Sequence, residues 1–289
     1  MIDLSGMNIP VWGVANQRSI CWAIAKQLRA CGADVILLCQ PRFRVSVMEM
    51  AIAEGIATVL PCDVDVHGDS DDDIANGSID HCFCILKRYA PFHGLVHGLV
   101  HGIAFSDSKE LQGRYSDTTL ANFEKTMRIS CYSFTEIARR MRPMMSYDGC
   151  MLTLTFDAAT GSYPHYNVMG IAKAALNASV LYLAADLGEF NIRVNAISAS
   201  PEDTLSARGI KNFRAIGKFA NAQSPLGRRA SLQAIANEAA YLLSDQACDI
   251  TAQIRYVDCG SISVRMAPAR NAALMAEAWT DIAKIAGKE

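Results

Sequence analysis

The sequence predicts a doubly wound α/β fold, a parallel sheet with helices on both faces. Short apolar runs recur at 9–12, 34–39, 57–62, 94–101, 150–155, 193–198 and 253–257. Longer patterns of helical period separate them at 20–30, 79–89, 120–145, 166–187 and 232–243. Residues able to do chemistry collect just after the apolar runs, where a doubly wound sheet opens its ligand crevice. Strands alternating with helices of this length are joined by right-handed crossovers, and such connections give parallel rather than hairpin pairing.

A chain of 289 residues, 51% of them apolar, has material for one large core, and one domain is the default at this size. The expected organisation is a single Rossmann-type domain over 1–266 with a helical tail over 267–289. Within it, the acidic, glycine-containing segment near 66–77 reads as a solvated surface insertion and the segment near 200–225 as a substrate loop. The Ala-rich tail is compatible with a helix that packs on a neighbouring subunit or frays.

Lys and Arg number 27 against 29 Asp and Glu, a net charge of −2. Nothing global therefore attracts a nucleic-acid backbone or an anionic membrane surface. No apolar run approaches the ~20 residues needed to cross a bilayer, and the first residues lack the pattern of an export signal. A soluble, cytoplasmic protein is expected. Most of the ten cysteines sit inside apolar stretches, where a free thiol behaves as a small hydrophobe. Cys82 and Cys84 have no second pair with which to bind zinc. His93, His97 and His101 recur every four residues and would share a strand face about 13 Å apart, too far to share a metal. No metal site is expected.

The first run is followed by Gly13-Val-Ala-Asn-Gln-Arg-Ser19-Ile20, which opens a helix. Small residues let the backbone approach a pyrophosphate, and the helix N-terminus supplies free N–H groups and a favourable dipole. With one glycine, a plain strand-to-helix turn is an equal reading. The second run ends in Gln40, which can bind ribose hydroxyls but carries no charge to reject a 2′-phosphate, and Arg42 and Arg44 lie just beyond. NADH is favoured over NADPH, without NADPH being excluded. The third run ends in Asp63-Val64, where the carboxylate either accepts from an adenine amino group or caps its own turn.

Tyr166 and Lys173 stand seven apart, on one face of a helix with Met169 between them. A nearby ammonium would lower the phenol pKa toward neutrality. The segment Tyr166-Asn-Val-Met-Gly-Ile-Ala-Lys173-Ala-Ala-Leu resembles the active-site helix of the NADH-dependent enoyl-[acyl-carrier-protein] reductases, a divergent branch of the short-chain dehydrogenases. The resemblance extends through the 13–20 loop, Cys62-Asp-Val64, Leu99-Val-His-Gly-Ile-Ala-Phe105, Ile129-Ser-Cys-Tyr-Ser-Phe134, Leu181-Tyr-Leu-Ala-Ala-Asp-Leu-Gly188, Ile192-Arg-Val-Asn-Ala-Ile-Ser198 and Leu242-Leu-Ser-Asp245.

The resemblance implies hydride transfer from NADH to the β-carbon of a trans-2-enoyl thioester on acyl carrier protein. Tyr166 would stabilise the enolate oxygen and Lys173 would bind the nicotinamide ribose. Gly13, Ser19, Ile20, Gln40, Asp63, Val64, Ala104 and Thr204 would line the cofactor, while Phe105, Phe156, Met169 and Ile216 would border the acyl pocket. The family also implies a homotetramer. If the carrier is acidic, Lys211, Arg214, Lys218, Arg228 and Arg229 form its natural docking patch.

Departures from the pattern are equally specific. Phe156 replaces a tyrosine found in many members. Pro10 and Trp12 suggest a distorted first strand. In Ser200-Pro-Glu-Asp-Thr204, Glu202 and Asp203 bring negative charge toward the cofactor, which is unfavourable unless they point to solvent. These departures leave two alternatives, a reductase of another carbonyl or enone and a nucleotide-binding relative that has lost turnover.

Overall fold

In a computed structural model that describes residues 2–88, 95–204, 206–210, 212–264 and 266–286, each apolar run becomes a strand. The strands are β1 (Asn8–Trp12), β2 (Asp34–Cys39), β3 (Thr58–Pro61), β4 (Val96–His101), β5 (Met145–Thr155), β6 (Arg193–Ala199) and β7 (Ile254–Val257). They form one parallel sheet in the order β3-β2-β1-β4-β5-β6-β7. Strand order reverses between β1 and β4, and the crevice opens there.

Both sheet faces are covered, so the strands are apolar on both sides while alternating between two cores. Ile9, Val11, Leu37 and Leu152 point into one core, built with α1 (Ile20–Ala30), α2 (Arg44–Ala53) and α9 (Leu232–Leu243). Trp12, Leu38 and Met151 point into the other, against α4 (Ile79–Arg88), α6 (Ser133–Met141) and α7 (Asn167–Leu187). Trp12 stacks on Phe83 with ring centroids 6.2 Å apart.

The first strand is regular, contrary to the expectation from Pro10. It pairs with β2 from Asn8 to Trp12, but with β4 only at Val11 and Trp12. The Asn8 N–H meets His97 Nδ1 at 3.1 Å on the β4 side, whereas the Gly13 N–H bonds Leu38 O on the β2 side. Alternate residues face alternate neighbours in a parallel ladder. The donor Pro10 lacks therefore falls on the β4 side, before that pairing begins.

The helix expected over 120–145 is three pieces: α5 (Leu120–Met127), a π-helical turn at Arg128–Tyr132 and α6. The acidic insertion contains α3 (Asp71–Ala75), whose N-cap Ser70 makes a reciprocal capping box with Asp73. Among the described residues three helices have no counterpart in the sequence reading, α2, α3 and α8 (Phe213–Gln223). With the turn that follows it, α7 makes a 24-residue segment long and apolar enough to cross a membrane, contrary to expectation. One face of it is buried in the core, with Val168, Ala172, Leu176 and Val180 fully buried, while Leu181 and Tyr182 are exposed.

The histidine tract also resolves. His93 lies outside the described residues. His101 is fully buried between Thr153 Oγ1 at 2.8 Å and Ser133 Oγ at 2.9 Å, and burial pushes its pKa down to about 3, so it is neutral. No cluster of potential metal ligands occurs among the described residues. All ten cysteines are free.

The tail forms α10 (Ala272–Ala286), which packs on α8 of the same chain. Phe219 and Trp279 meet edge to face at 6.0 Å, and Lys218 bridges Glu277 and Asp281. Just before α10, buried Asn271 gives both amide hydrogens to α8's last carbonyls, to Ala222 O at 3.0 Å and Ser224 O at 2.7 Å. Asn271→Ala leaves the Ala222 carbonyl without its partner, while Ser224 O keeps the Gly227 N–H, and is expected to cost about 1–3 kcal/mol. Urea unfolding followed by circular dichroism checks this. A loss below about 0.5 kcal/mol would show that α8 is held by other contacts.

Candidate active site

The carboxyl ends of the strands open on a cleft of about 560 Å³ that runs from the ends of β2 and β3 to those of β5 and β6. At its centre, β1 turns into α1 through Gly13, whose φ of +97° favours glycine. A side chain there would meet Gly102 O at 2.2 Å, so the ends of β1 and β4 approach as closely as backbone allows. The N-cap Ser19 accepts hydrogen bonds from the Ala15 and Asn16 amides, both at 3.1 Å, which fixes the turn. No acidic residue occupies the first turn of α1, and the positive end of its dipole faces the cleft. That geometry suits a pyrophosphate.

At one end, Gln40 donates to Asp63 Oδ2 at 2.8 Å and accepts from Arg42 at 2.6 Å. The other Asp63 oxygen accepts from the Asp65 amide at 3.0 Å. Asp63 thus caps its own turn and also faces the cleft beside Gln40 and Val64. The chain of Arg42, Gln40 and Asp63 offers a ribose or an adenine both donors and acceptors without a bare charge.

At the other end, Tyr166 immediately precedes α7, and Lys173 lies two turns along it. Both are buried, at 8% and 6% exposure. The Lys173 ammonium donates to Leu154 O at 2.8 Å, which ties α7 to the end of β5. Phe156 packs against the Tyr166 ring at 5.1 Å. The expected lowering of the phenol pKa is not found. Burial pushes Tyr166 upward, since a phenolate is costly to desolvate, and holds Lys173 down to about 8 for the same reason. Tyr166 is therefore a protonated hydroxyl, suited to donating a hydrogen bond.

Of the residues singled out in the sequence, Gly13, Ser19, Ile20, Gln40, Asp63, Val64, Ala104, Phe105, Phe156, Tyr166, Met169, Lys173 and Thr204 all line the cleft. Ile216 does not. It packs behind Phe156, Tyr166 and Met169 in an apolar cluster, and Ile210 and Phe213 face the cleft instead. Sequence reading also passed over Thr155, Ile129 and Ser130. The Thr155 hydroxyl is buried in the cleft wall with no hydrogen-bond partner among the described residues, as expected where a polar ligand completes the site. Ser130, in the π-helical turn, bonds both the N–H and the C=O of Phe105 at 2.9 Å, and so holds the loop after β4. Thr155 was legible as the last residue of its apolar run. The π-helical turn has no comparable signal.

Glu202 does not point to solvent. Its side chain is 8% exposed and lines the cleft, with Ser200 Oγ at 3.3 Å and Arg229 Nε at 3.8 Å. The basic patch is correspondingly depleted. Lys218 is paired to α10 and Arg229 turns toward Glu202 and Pro201 O, while Lys211 lies outside the described residues. Arg214 and Arg228 remain exposed.

A doubly wound sheet, an anion-suited first turn, and a Tyr and Lys on the helix after the fifth strand define a dinucleotide-binding protein of the short-chain dehydrogenase type. The comparisons narrow the class. Residues 13–261 match the family model described as enoyl-(acyl carrier protein) reductase. The chain is 44% identical over 258 residues to an enoyl-[acyl-carrier-protein] reductase [NADH] of Rhizobium meliloti, covering 89% of this chain and 92% of the relative. A crystal structure of the Anaplasma phagocytophilum reductase in complex with NAD superposes with a TM-score of 0.83 at 43% identity, covering 92% of this chain and 97% of that one. The Bacillus cereus enoyl-acyl carrier protein reductase, solved with NADP+ and indole naphthyridinone, superposes with a TM-score of 0.83 at 38% identity, covering 92% and 100%. The chain belongs to the enoyl-(acyl carrier protein) reductase family.

Burial of Lys173 has a consequence that can be measured. The unfolded chain keeps this proton up to about the ordinary value of 10.5, whereas the native state gives it up near 8. Between those values the unfolded state binds more protons, so this group makes native stability rise with pH. The native chain is expected to gain stability relative to Lys173→Met as pH rises from about 8 to about 10.5. Paired denaturant titrations cancel the other groups that titrate there. A difference that stays constant across the window would show that the lysine is not desolvated.

Proposed function

We propose that this chain reduces trans-2-enoyl thioesters carried on acyl carrier protein to saturated acyl thioesters, the last reductive step of fatty-acid elongation. The observation that carries the reading is the meeting of the Tyr166 hydroxyl, the Lys173 ammonium and an apolar wall of Phe156 and Met169 at one end of a dinucleotide cleft. Family membership at over 40% identity supports it. Bound NADH supplies the hydride.

The residues divide the remaining work. Negative charge collects on the thioester carbonyl oxygen as its conjugated double bond is reduced. A preplaced hydroxyl that strengthens its hydrogen bond as that charge grows lowers the barrier. Tyr166 is assigned that role, and its burial both keeps it protonated and removes competing water. Lys173 spends one N–H on Leu154 O and has two left, which we assign to the nicotinamide ribose. Gly13, Ser19 and Ile20 are assigned to the pyrophosphate, Gln40, Asp63 and Val64 to the adenosine, and Ala104 and Thr204 to the nicotinamide half. Phe105, Phe156 and Met169 take the acyl chain, with Ile216 supporting them from behind. The uncharged Gln40 beside Arg42 leaves room for NADPH as a second donor, in keeping with the NADP+ in the Bacillus cereus structure.

Acyl carrier protein is the assigned partner, with Arg214 and Arg228 as its contacts. We further assign a homotetramer, because Leu181 and Tyr182 on α7 and Tyr256 on the edge strand β7 expose large apolar side chains. Ten unpaired cysteines fit a reducing, cytoplasmic setting.

The test is oxidation of NADH by a crotonyl thioester, followed as loss of near-ultraviolet absorbance. Tyr166→Phe is expected to lower kcat by about 10²–10³, the range for removing one oxyanion donor. Undiminished turnover by this variant would remove Tyr166 from the mechanism. Turnover of a ketone with inactivity on every enoyl thioester would overturn the substrate assignment.

A further inference from the structure

Glu202 is a carboxyl group that the proposed chemistry does not use, yet it forms part of the wall that holds Tyr166 and Lys173. It follows β6, which pairs with β5 up to Thr155 and Ser198, so it belongs to the chemical end of the cleft. Its compensation is incomplete. Ser200 donates one hydrogen bond at 3.3 Å, and Arg229, 46% exposed, stands off at 3.8 Å. Burial raises its pKa, and Asp203 acts in the same direction, while Arg229 and the Ser200 hydroxyl oppose them.

A dinucleotide lies across such a cleft with its pyrophosphate at the N-terminus of α1 and its adenosine toward β2 and β3. The second nucleoside then falls beside β5 and β6. For a nicotinamide cofactor that nucleoside exists in two forms of nearly equal shape. The oxidised ring carries a positive charge and the reduced ring does not. A desolvated carboxylate beside the ring distinguishes them by charge alone.

We propose that Glu202 sets the redox preference of the cofactor site, holding the oxidised nicotinamide more tightly relative to the reduced form than a neutral residue would. The inference rests on the nicotinamide assignment made above. The ammonium of Lys173 opposes this bias, but it is the same in the native chain and in a Glu202 variant, so a comparison between the two isolates the carboxylate. Glu202→Gln keeps the shape and the hydrogen bond to Ser200 while removing the charge.

The experiment is calorimetric titration of the full chain, native and Glu202→Gln, with NAD+, NADH and ADP-ribose, which lacks the ring. In the variant the ratio of the NAD+ to the NADH dissociation constant is expected to rise about tenfold, as for one partly screened charge pair. ADP-ribose binding should change no more than NADH binding. Glu202→Asp, which retains the charge, should keep the ratio within about threefold of the native value, a difference well under 1.4 kcal/mol. A Glu202→Gln ratio within twofold of native, or equal losses for all three nucleotides, would overturn the role of the charge and leave the cofactor assignment standing. Binding of neither NAD+ nor NADH by the native chain would overturn the cofactor assignment and the inference together.

Discussion

Burying an ammonium without a partner costs several kcal/mol, and a lysine at 6% exposure persists only where the surrounding structure repays that cost. For Lys173 the hydrogen bond made among the described residues goes to Leu154 O, near the end of β5. The bond requires α7 to start at one register relative to the sheet, because a shift of one residue would carry Lys173 about 100° around the helix and away from the strand end. The same register sets Tyr166 against Phe156 and Met169 in the cleft wall. Surrounding groups avoid adding charge to the problem. Burial pushes the Cys21 and Cys131 thiols up and His101 down, so all three are neutral beside the ammonium.

The helix-to-strand bond needs a rigid frame on its other side, and the close approach of β1 and β4 supplies it. Gly13 lies against Gly102, and Gly102 against Cys21 of α1, with no space for a side chain at either glycine. The loop leaving β4 is then pinned by Ser130 through both backbone groups of Phe105. This second pin depends on the π-helical turn, which adds a residue to the helical path between α5 and α6. The acyl side of the cleft is built differently. Ile210 and Phe213 come from the segment that leads into α8, and α8 is held by α10 through Asn271, Trp279 and the Lys218 ion pairs. The segment with α8 is thus braced by α10.

These differences explain what could be read from sequence. The central strands, buried on both faces, appear as continuous apolar runs, and the edge strand β7, with Arg255 and Tyr256 exposed, still shows as a short run, so all seven were visible and their parallel pairing followed from the helices between them. Cleft-lining positions at strand ends, such as Gly13, Gln40 and Asp63, inherit their place from the fold and were equally visible. Information carried by packing between distant segments was not. Asn271 meets Ala222 across 49 residues, and nothing local to either predicts the contact. α2 carries no clean apolar stripe, with Val45 and Ile52 outward, and α8 lies inside the segment that reads as a loop. The phenol pKa was misjudged because spacing supplies the cation but says nothing of burial, and burial dominates here.

Glu202 shows the same limit in electrostatic form. Sequence places a carboxylate after β6 and supplies a rule that it should seek solvent, yet Arg229 lies 27 positions later and makes an inward orientation tolerable. The two ends of the cleft therefore share a device, a carboxylate facing the ligand with an arginine in attendance: Asp63 through Gln40 to Arg42, and Glu202 directly to Arg229. They differ in how completely the charge is spent. Asp63 accepts two hydrogen bonds at 3.0 Å or less, whereas Glu202 has one at 3.3 Å and a loose ion pair. Residual field is strongest where a carboxylate is buried and least satisfied. That condition places it at the β6 end, where the part of the cofactor that changes charge during the reaction would lie.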